Sequence, residues 1–317
     1  MKIRIAPPQT LYELGQRANQ EDALFPPFGQ ATIDDRLFLV CDGMGGHDHG
    51  EVASQTVAET IGRYISNHLP TGEALTDSLL SDAIAEAYNQ LDAHNDPDDR
   101  KKMGTTLTLL CLHRGGVTMA HIGDSRIYHI RPNSSPNGGG REGAILYQSR
   151  DHSLVMDLFL SGELTREQMD TYEGKNVITR AMLPHPESRF RPDIVHTTNL
   201  QAGDLFLLCS DGIIEQLTDS HLLNILCADI TDERILNRLG AATASAADNH
   251  SAYLIRILAV EQEPSDTEVP NDEATSRKNL INIIHAREEK EDNDNSPAKA
   301  PIQKKNSWLI KIFKYFT

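Results

Sequence analysis

The chain has 317 residues, with 46 acidic side chains against 30 lysines and arginines, which gives a formal net charge of −16. This balance argues against nucleic acid as a partner, because a phosphate backbone is bound by a clustered basic face and the sequence contains none. The length accommodates one large domain followed by a tail, or two small domains. Nothing in the first 260 residues has the composition of a linker, so we predict one domain over residues 1–260.

The four cysteines form neither a CxxC pair nor a disulfide framework. Cys41 and Cys209 fall inside apolar runs, where a thiol packs as a small hydrophobic group. The N-terminus MKIRIAPPQT lacks the apolar core of a signal peptide, and no apolar stretch is long enough to span a bilayer. We therefore expect a cytoplasmic protein in a reducing compartment.

Short apolar and β-branched runs predict strands, and the segments between them have helical periodicity. In chain order, strands are predicted at Leu37–Cys41, Thr105–Leu112, Val117–Ile122, Arg126–Ile130, Leu205–Ser210 and Tyr253–Val260. Helices are predicted at Glu51–Leu69, Asp77–Asn95, Ser220–Ala228 and Glu233–Ala247. The two kinds of element come in blocks and do not alternate strictly, which favours an α+β fold with two facing sheets and helices outside them.

The composition changes after Val260. Residues 261–305 are rich in charged and polar side chains, which predicts a disordered linker. Residues 306–317 (NSWLIKIFKYFT) predict a short amphipathic helix with lysines opposite an apolar, aromatic face. This element is too short to cross a bilayer, so we predict that Trp308–Phe316 docks on the inner membrane surface or on a protein. The alternative is a tail that folds back onto the domain at residues 1–260.

Four aspartates stand where an apolar run breaks into a loop. They are Asp42 in LFLVCDG, Asp124 in AHIGDSR, Asp211 in LFLLCSDG and Asp248 in SAADNHS. An apolar strand that stops at such a residue places a carboxylate at a sheet edge, where several segments can converge on Mg²⁺ or Mn²⁺. Asp-Gly is also a common turn dipeptide, so an ordinary turn is the alternative for any one of them taken alone.

Eight short motifs occur in order around these aspartates. They are RANQED at 17–22, DGMGGH at 42–47, GTTL at 104–107, GDSR at 123–126, DHS at 151–153, TRA at 179–181, SDG at 210–212 and DNHS at 248–251. The set resembles the metal-dependent PPM (PP2C-type) serine/threonine protein phosphatases, particularly the bacterial members, over residues from about 10 to 260. The resemblance implies a four-layer αββα sandwich, in which two antiparallel sheets are flanked by helices.

The resemblance also implies a binuclear site for Mn²⁺ or Mg²⁺. In it Asp42 bridges the two ions, the Gly43 carbonyl binds the outer ion, and Asp211 and Asp248 bind the inner one. Such a pair of cations activates a water for attack on a phosphate monoester. The resemblance thus implies a phosphatase that acts on phosphoserine and phosphothreonine proteins and reverses a bacterial serine/threonine kinase.

Four further residues take supporting roles by the same resemblance. Glu21 and Asp22 reach the metals through water or orient their ligands. Asp124 helps to hold a third, weaker metal ion, and a tight-turn aspartate is the alternative. Arg17 binds the substrate phosphate, for which a guanidinium fork is well suited.

The motif that begins at Asp42 departs from relatives that carry a histidine two residues after the metal aspartate. That position is Met44 here, which cannot donate a proton to the leaving group. His47 and a metal-bound water are the alternative acids.

Three rival interpretations remain open from the sequence. One is a zinc site built from Cys41, His47, His49 and His121, although the spacing matches no recognised zinc motif. Another is a catalytically silent phosphoprotein-binding module on the same fold, which predicts damaged ligands. The third is a phosphatase for a small molecule or a substrate at a lipid surface. The absence of a Cys-x5-Arg loop disfavours a thiol-based phosphatase.

Overall fold

The structure is a computed structural model and describes residues 1–45, 49–94, 103–133, 143–169, 171–185 and 189–261. The strands in these ranges are β1 (Lys2–Ile5), β2 (Gln9–Glu13), β3 (Asp22–Phe25), β4 (Leu37–Met44), β5 (Gly104–Thr105), β6 (Leu107–His113), β7 (Gly116–Ile122), β8 (Arg126–Pro132), β9 (Gly143–Gln148), β10 (Asp193–Thr197), β11 (Leu205–Cys209) and β12 (His250–Glu261). The helices are α1 (His49–His68), α2 (Asp77–His94), α3 (Leu154–Ser161), α4 (Arg166–Met169), α5 (Asp211–Ile214), α6 (Asp219–Leu226) and α7 (Asp232–Thr243).

The strands form two antiparallel sheets of six strands each. The first has the order β1-β12-β11-β8-β9, with β2 also paired to β12. The second has the order β10-β7-β6-β4-β3, with β5 also paired to β4. The chain crosses from the second sheet to the first between β7 and β8, and this crossing carries Gly123, Asp124 and Ser125.

Strand β4 shows why the apolar runs are continuous. Phe38 and Val40 pack with Phe206 and Tyr253 in a core between the two sheets. The alternate residues, such as Leu39, face the other way and pack against helices α1 and α2. Because side chains alternate along a strand, a strand covered on both faces needs apolar residues at every position.

The first sheet is covered on its outer face in the same manner, by helices α6 and α7. Leu207 and Leu254 pack there with Leu222, Ile235 and Leu239. The layers are thus helices, sheet, sheet and helices, which confirms the predicted αββα sandwich.

Most predicted elements occur within one to four residues of their predicted bounds, and one strand prediction was incomplete. The run Thr105–Leu112 is divided at Thr106 into β5, which pairs with the end of β4, and β6, which pairs with its first half. The short strands β1, β2, β3 and β10 had no sequence signal of their own. Each is four or five residues long and takes its extended conformation from the neighbour with which it pairs.

Strand β12 continues to Glu261, the last residue that the structure describes. The predicted linker and the predicted amphipathic helix at 306–317 lie outside the described residues, so the division of the chain at residue 260 stays a prediction. Among the helices described here, none is both long enough and apolar enough to cross a membrane.

A buried ion cluster holds β8 beside the turn that leads into β11. Asp204 is fully buried, and its carboxylate accepts hydrogen bonds from Arg131 at 2.7 and 2.8 Å and from His129 at 3.0 Å. Burial by itself would raise the pKa of Asp204, but these bonds, with one from the Gln201 amide, outweigh it and lower the pKa to about 2.

We expect Asp204→Asn to lower the free energy of unfolding at pH 7 by roughly 2 to 3 kcal/mol, because Arg131 would lose its buried counter-charge. The folded-state pKa is below the unfolded value of about 3.9, so the carboxylate stabilises the fold above that pH and ceases to do so as pH falls towards 2. Urea unfolding at pH 7 and pH 3 measures this, with exposed Asp34→Asn as the control. An equal loss at both pH values would contradict the assignment.

Candidate active site

The loops that carry the four aspartates meet at one end of the sandwich. Asp42 lies near the end of β4, and Asp124 follows β7, whose last residue Ile122 pairs with Leu107 at the start of β6. Asp211 follows β11, and Asp248 precedes the antiparallel neighbour β12. The end of one antiparallel strand adjoins the start of the next, so all four carboxylates are brought to the same edge.

A fifth carboxylate faces this cluster from β3. Asp22 is directly opposite Asp42 in the β3–β4 pair, and directly paired residues present their side chains on the same face. Asp22 is buried, and one of its oxygens accepts a hydrogen bond from the Ser210 hydroxyl at 2.8 Å. Ser210 is at the N-cap position of α5, directly before Asp211. Its bond to Asp22 therefore joins the two sheets beside Asp211.

Burial and mutual repulsion raise the pKa of Asp22, Asp42, Asp124 and Asp211. Burial raises the pKa of Asp42 well above its usual range, and the charges of Asp211 and Asp22 raise it further. Burial acts on Asp211 in the same direction, with Asp124 and Asp248 as the nearest charges that raise its pKa. The pKa of Asp22 and that of Asp124 are each raised to about 7, again chiefly by burial.

Within the part of the chain that the structure describes, three buried carboxylate oxygens have no hydrogen-bond partner. They are Oδ1 of Asp22, Oδ1 of Asp124 and Oδ1 of Asp211. An unpaired buried acceptor costs roughly 1 to 3 kcal/mol, and more when it is charged. Three of them among mutually repelling carboxylates fit a site for hard divalent cations, because oxygen ligands and concentrated negative charge are what Mg²⁺ and Mn²⁺ require.

Arg17 lies at the rim of the cluster. Its guanidinium donates to Asp248 Oδ2 at 2.5 Å, and about half of its side chain is exposed. Burial would lower the pKa of Arg17, but the charges of Asp248, Glu21 and Asp42 outweigh this and raise it. A permanently charged fork that is half exposed beside the carboxylates is placed to meet an anionic group arriving from solvent.

Asn249 is a structural residue of the site that we did not single out in the sequence. Its amide oxygen accepts from the Glu21 amide at 2.8 Å, and its amide nitrogen donates to the carbonyls of Leu14 and Asn19 at 2.9 and 3.1 Å. These bonds hold the segment that carries Arg17 against the segment that carries Asp248. The signal in the sequence was its position within DNHS, directly after a predicted ligand.

Gly43 allows β4 to approach the start of α1 closely. A Cβ at this position would lie 2.2 Å from the Gly50 carbonyl oxygen and 2.5 Å from that of Glu21. The Gly43 amide donates to the same Glu21 carbonyl at 3.1 Å. Any side chain here would therefore push Glu21 and α1 away from Asp42.

Met44 is the last residue of β4 and pairs with Gly104. The position at which the resemblance implies a histidine is therefore part of a β-ladder beside the site. His47, the alternative acid, lies outside the described residues. Two further motif arginines pair with acidic neighbours: Arg126 donates to both oxygens of Asp151 at 2.7 Å, and Arg180 is 3.5 Å from Asp193.

The zinc alternative is not assembled in the described residues. Cys41 is fully buried among the residues that pack against α1 and α2. One group of three potential ligands does come together in the described part of the chain, with atoms of His121, His152 and Asp193 within 4.8 Å of one another. No three of the aspartates discussed above approach so closely, as expected for like charges spread around more than one ion.

Hydrogen bonds show that the His121–His152–Asp193 group is not suited to a metal. The Gly123 amide donates to His152 Nδ1 at 3.1 Å, so neutral His152 carries its proton on Nε2, which faces Asp193 at 3.4 Å. Arg180 is also 3.4 Å from that nitrogen. A cation there would have to displace this proton and oppose the guanidinium, so we interpret the group as a hydrogen-bonded network.

Comparison with known proteins assigns the chain to a family. The family model for protein phosphatase 2C matches residues 14–250. The chain belongs to the protein phosphatase 2C family. That match includes Arg17, all four aspartates and every motif except the last residue of DNHS.

Among curated relatives, the serine/threonine protein phosphatase PstP of Mycobacterium tuberculosis is 31% identical over 211 residues, which are 66% of this chain and 36% of PstP. The protein phosphatase PhpP of Streptococcus pneumoniae is 32% identical over 223 residues, or 69% of this chain and 84% of PhpP. The match thus spans little more than a third of the length of PstP.

Solved structures give the same family. The M. tuberculosis phosphatase PstP/Ppp aligns with a TM-score of 0.64 and 27% identity, covering 81% of this chain and 100% of that chain. The PstP catalytic domain in complex with two manganese ions aligns with a TM-score of 0.62 and 27% identity, over 81% of this chain and all of that one.

We expect Asp211→Asn to stabilise the metal-free protein, because it removes one charge from a group of repelling buried carboxylates. The midpoint of thermal unfolding in EDTA at pH 8 should rise by roughly 2 to 5 °C. Because burial raises the folded-state pKa of Asp211, its ionisation destabilises the fold as pH rises above the unfolded value of about 3.9. The gain should accordingly be smaller at pH 5.

The same variant should lose most of the stabilisation that Mn²⁺ gives the wild type, since one ligand is weakened. Scanning calorimetry with and without Mn²⁺ measures both effects, and exposed Asp34→Asn is the matched control. A lower midpoint in EDTA for Asp211→Asn would argue that this carboxylate is held by favourable contacts and is not a repelled ligand.

Proposed function

We propose that the protein is a metal-dependent phosphoprotein phosphatase that hydrolyses phosphoserine and phosphothreonine. The observation that carries this proposal is the set of unpaired, buried oxygens on Asp22, Asp124 and Asp211, with Asp42 among them and Arg17 at the rim. The intact carboxylates speak against a silent binding module, which would have no reason to retain mutually repelling buried charges.

Asp42, the Gly43 carbonyl, Asp211 and Asp248 would hold two divalent cations, Mn²⁺ or Mg²⁺. When bound, these ions supply an activated water and stabilise charge on the phosphoryl group. Asp22 and Glu21 would orient these ligands: Asp22 is opposite Asp42 and bonded to Ser210, and the Glu21 carbonyl receives the Gly43 amide. Asp124 would help Asp211 to hold a third, weaker ion, in line with their electrostatic coupling.

Arg17 would bind the phosphate of the substrate. Its ion pair with Asp248 holds the guanidinium over the cluster, and its exposure leaves donors available to solvent. Once cations neutralise Asp248, the guanidinium is freer to present two parallel N–H groups to phosphate oxygens. The Arg17 guanidinium stays protonated throughout the working pH range, so its binding of the phosphate would not require a proton transfer.

The proposed substrates are phosphorylated proteins, by similarity to relatives named serine/threonine protein phosphatases. A serine/threonine kinase would be the partner enzyme that supplies them. We further propose that Trp308–Phe316 docks the enzyme on the inner membrane face or on a protein, given the lysines opposite an aromatic face in that sequence.

The test of the proposed activity is hydrolysis of a phosphothreonine peptide in Mn²⁺, Mg²⁺ or EDTA. We expect turnover in one or both metals and none in EDTA. Asp211→Asn should lower kcat/KM by at least about 100-fold through loss of a ligand. A folded wild type that releases no phosphate with any metal would overturn the proposal.

Arg17→Lys provides a second, independent variant for the same assay. It keeps the charge but loses the paired donors, so we expect KM for the peptide to rise roughly tenfold while Mn²⁺ binding is retained. Arg63→Lys is the control, because Arg63 forms an exposed pair with Glu59 on α1. Unchanged KM in Arg17→Lys would remove Arg17 from phosphate binding.

Deletion of Asn306–Thr317 tests the docking proposal. The truncated protein should hydrolyse the soluble peptide at the wild-type rate, because the proposed site lies wholly within residues 17–248. Its binding to anionic lipid vesicles in a sedimentation assay should be lost, with neutral vesicles as the control. Wild-type protein that binds no vesicles would leave protein docking as the role of the segment.

A further inference from the structure

A pair of buried hydroxyls lies between two of the proposed metal ligands. Thr106 Oγ1 and Ser125 Oγ are 2.7 Å apart, and both residues are fully buried. Thr106 stands between β5 and β6 in the second sheet, and Ser125 stands on the crossing between the sheets. Neither hydroxyl belongs to the proposed ligand set, so their burial beside it needs another explanation.

On one side, Thr106 holds the backbone of Asp42 in both directions. The Asp42 amide donates to Thr106 Oγ1 at 3.0 Å, and the Thr106 amide donates to the Asp42 carbonyl at 2.9 Å. The Thr105 hydroxyl donates to the same carbonyl at 2.9 Å. Three hydrogen bonds thus hold the Asp42 peptide groups, and one of them uses the hydroxyl that also contacts Ser125.

On the other side, Thr106 contacts the residues before and after Asp124. Its hydroxyl meets Ser125, and its side-chain carbons pack against Gly123, where a Cβ would lie 2.6 Å from the Thr106 methyl. Gly123 also has a φ of +108°, which an L side chain rarely adopts. Gly123 and Ser125, the two residues that flank Asp124, therefore both contact Thr106.

A third residue closes the far side of this loop. His152 accepts a hydrogen bond from the Gly123 amide at 3.1 Å, and its own amide donates to the Gly123 carbonyl at 2.9 Å. Because Gly123 is anchored independently, loss of the Thr106–Ser125 contact would not release the whole loop. It would remove only the connection towards Asp42.

We propose that Thr106 and Ser125 are positioning residues that couple Asp124 to Asp42, so that ions bound at Asp42 bring the Asp124 carboxylate into place for a further ion. The inference rests on the proposed function and deepens it. A short hydrogen-bonded path leads from the Asp42 amide through the Thr106 hydroxyl to the Ser125 hydroxyl. Because this path is excluded from water, a displacement of one ligand is transmitted to the other.

Thr106→Val tests the coupling with little change of volume, since valine keeps the methyl that packs on Gly123 and has a second methyl in place of the hydroxyl. Ser125→Ala removes the Ser125 hydroxyl. Thr106→Ser is the rescue variant, because serine keeps a hydroxyl at position 106. Thr108→Val is the matched control: Thr108 is equally buried in the same segment, but its hydroxyl donates to the Val40 carbonyl at 2.8 Å and contacts no proposed ligand.

The primary measurement is Mn²⁺ binding to the full chain, by calorimetric titration and by electron paramagnetic resonance of free Mn²⁺, neither of which depends on activity. We expect Thr106→Val and Ser125→Ala each to weaken the weakest Mn²⁺ site about tenfold and to change the tighter sites less than threefold. Thr106→Ser should recover most of the loss, and Thr108→Val should match the wild type. The double variant Thr106→Val/Ser125→Ala should lose no more than either single variant.

Three outcomes in the single variants would overturn the coupling. They are unchanged Mn²⁺ binding in Thr106→Val, equal weakening of all sites, and an equal effect in Thr108→Val, which would indicate general loss of packing. Additive losses in the double variant would also contradict it, because two independent contacts would then be acting. Unfolding midpoints in EDTA, measured for every variant, show whether a loss of binding comes from misfolding.

Failure of the proposed function is distinguishable from failure of this inference. A wild type that binds Mn²⁺ but releases no phosphate from the phosphothreonine peptide contradicts the phosphatase proposal, while the titrations still decide the coupling. A wild type that binds no Mn²⁺ overturns both.

Discussion

Several carboxylates are buried close together at one end of the sandwich, and the fold has to hold them there. Burial and mutual repulsion raise the pKa of Asp42 and that of Asp211, and three carboxylate oxygens of the cluster have no hydrogen-bond partner among the described residues. Such an arrangement opposes folding unless cations neutralise it, so the surrounding fold has to hold the carboxylates against their own repulsion. The hydrophobic core between the sheets, built around residues such as Phe38 and Phe206, supplies that free energy.

The chain holds Asp42 through its backbone, and it leaves the Oδ1 atoms of Asp22, Asp124 and Asp211 without a hydrogen bond from the described residues. Thr105 and Thr106 bind the peptide groups of Asp42, and Asn249 binds the backbone of Glu21 and of the segment before Arg17. Hydroxyl and amide side chains suit this task because each both donates and accepts. A carboxylate fixed by direct side-chain bonds would have fewer lone pairs left for a cation.

The sequence predicted the two-sided strands well and the supports of the site poorly, for physical reasons. The run that ends at Asp42 is apolar at every position because both faces of β4 are covered, and this signal is local. The partners of Asn249 lie near the N-terminus, and Ser125 contacts Thr106 between β5 and β6, so the motifs DNHS and GDSR mark these positions without showing what their side chains contact. Short edge strands such as β10 were missed because pairing, and not composition, makes them extended.

The proposed site draws its ligands from both sheets, so its geometry depends on how the sheets pack. Asp42 comes from the second sheet, Asp211 from the first, and Asp124 from the crossing between them. The polar contacts that join the sheets beside the carboxylates include the bond from the Ser210 hydroxyl to Asp22 and the contact between Thr106 and Ser125. Close-packed cores do not yield gradually, so these few polar contacts near the edge are where small adjustments between the ligands remain available. For this reason we expect metal binding to respond more to changes at these buried hydroxyls than to changes at the larger apolar side chains behind them.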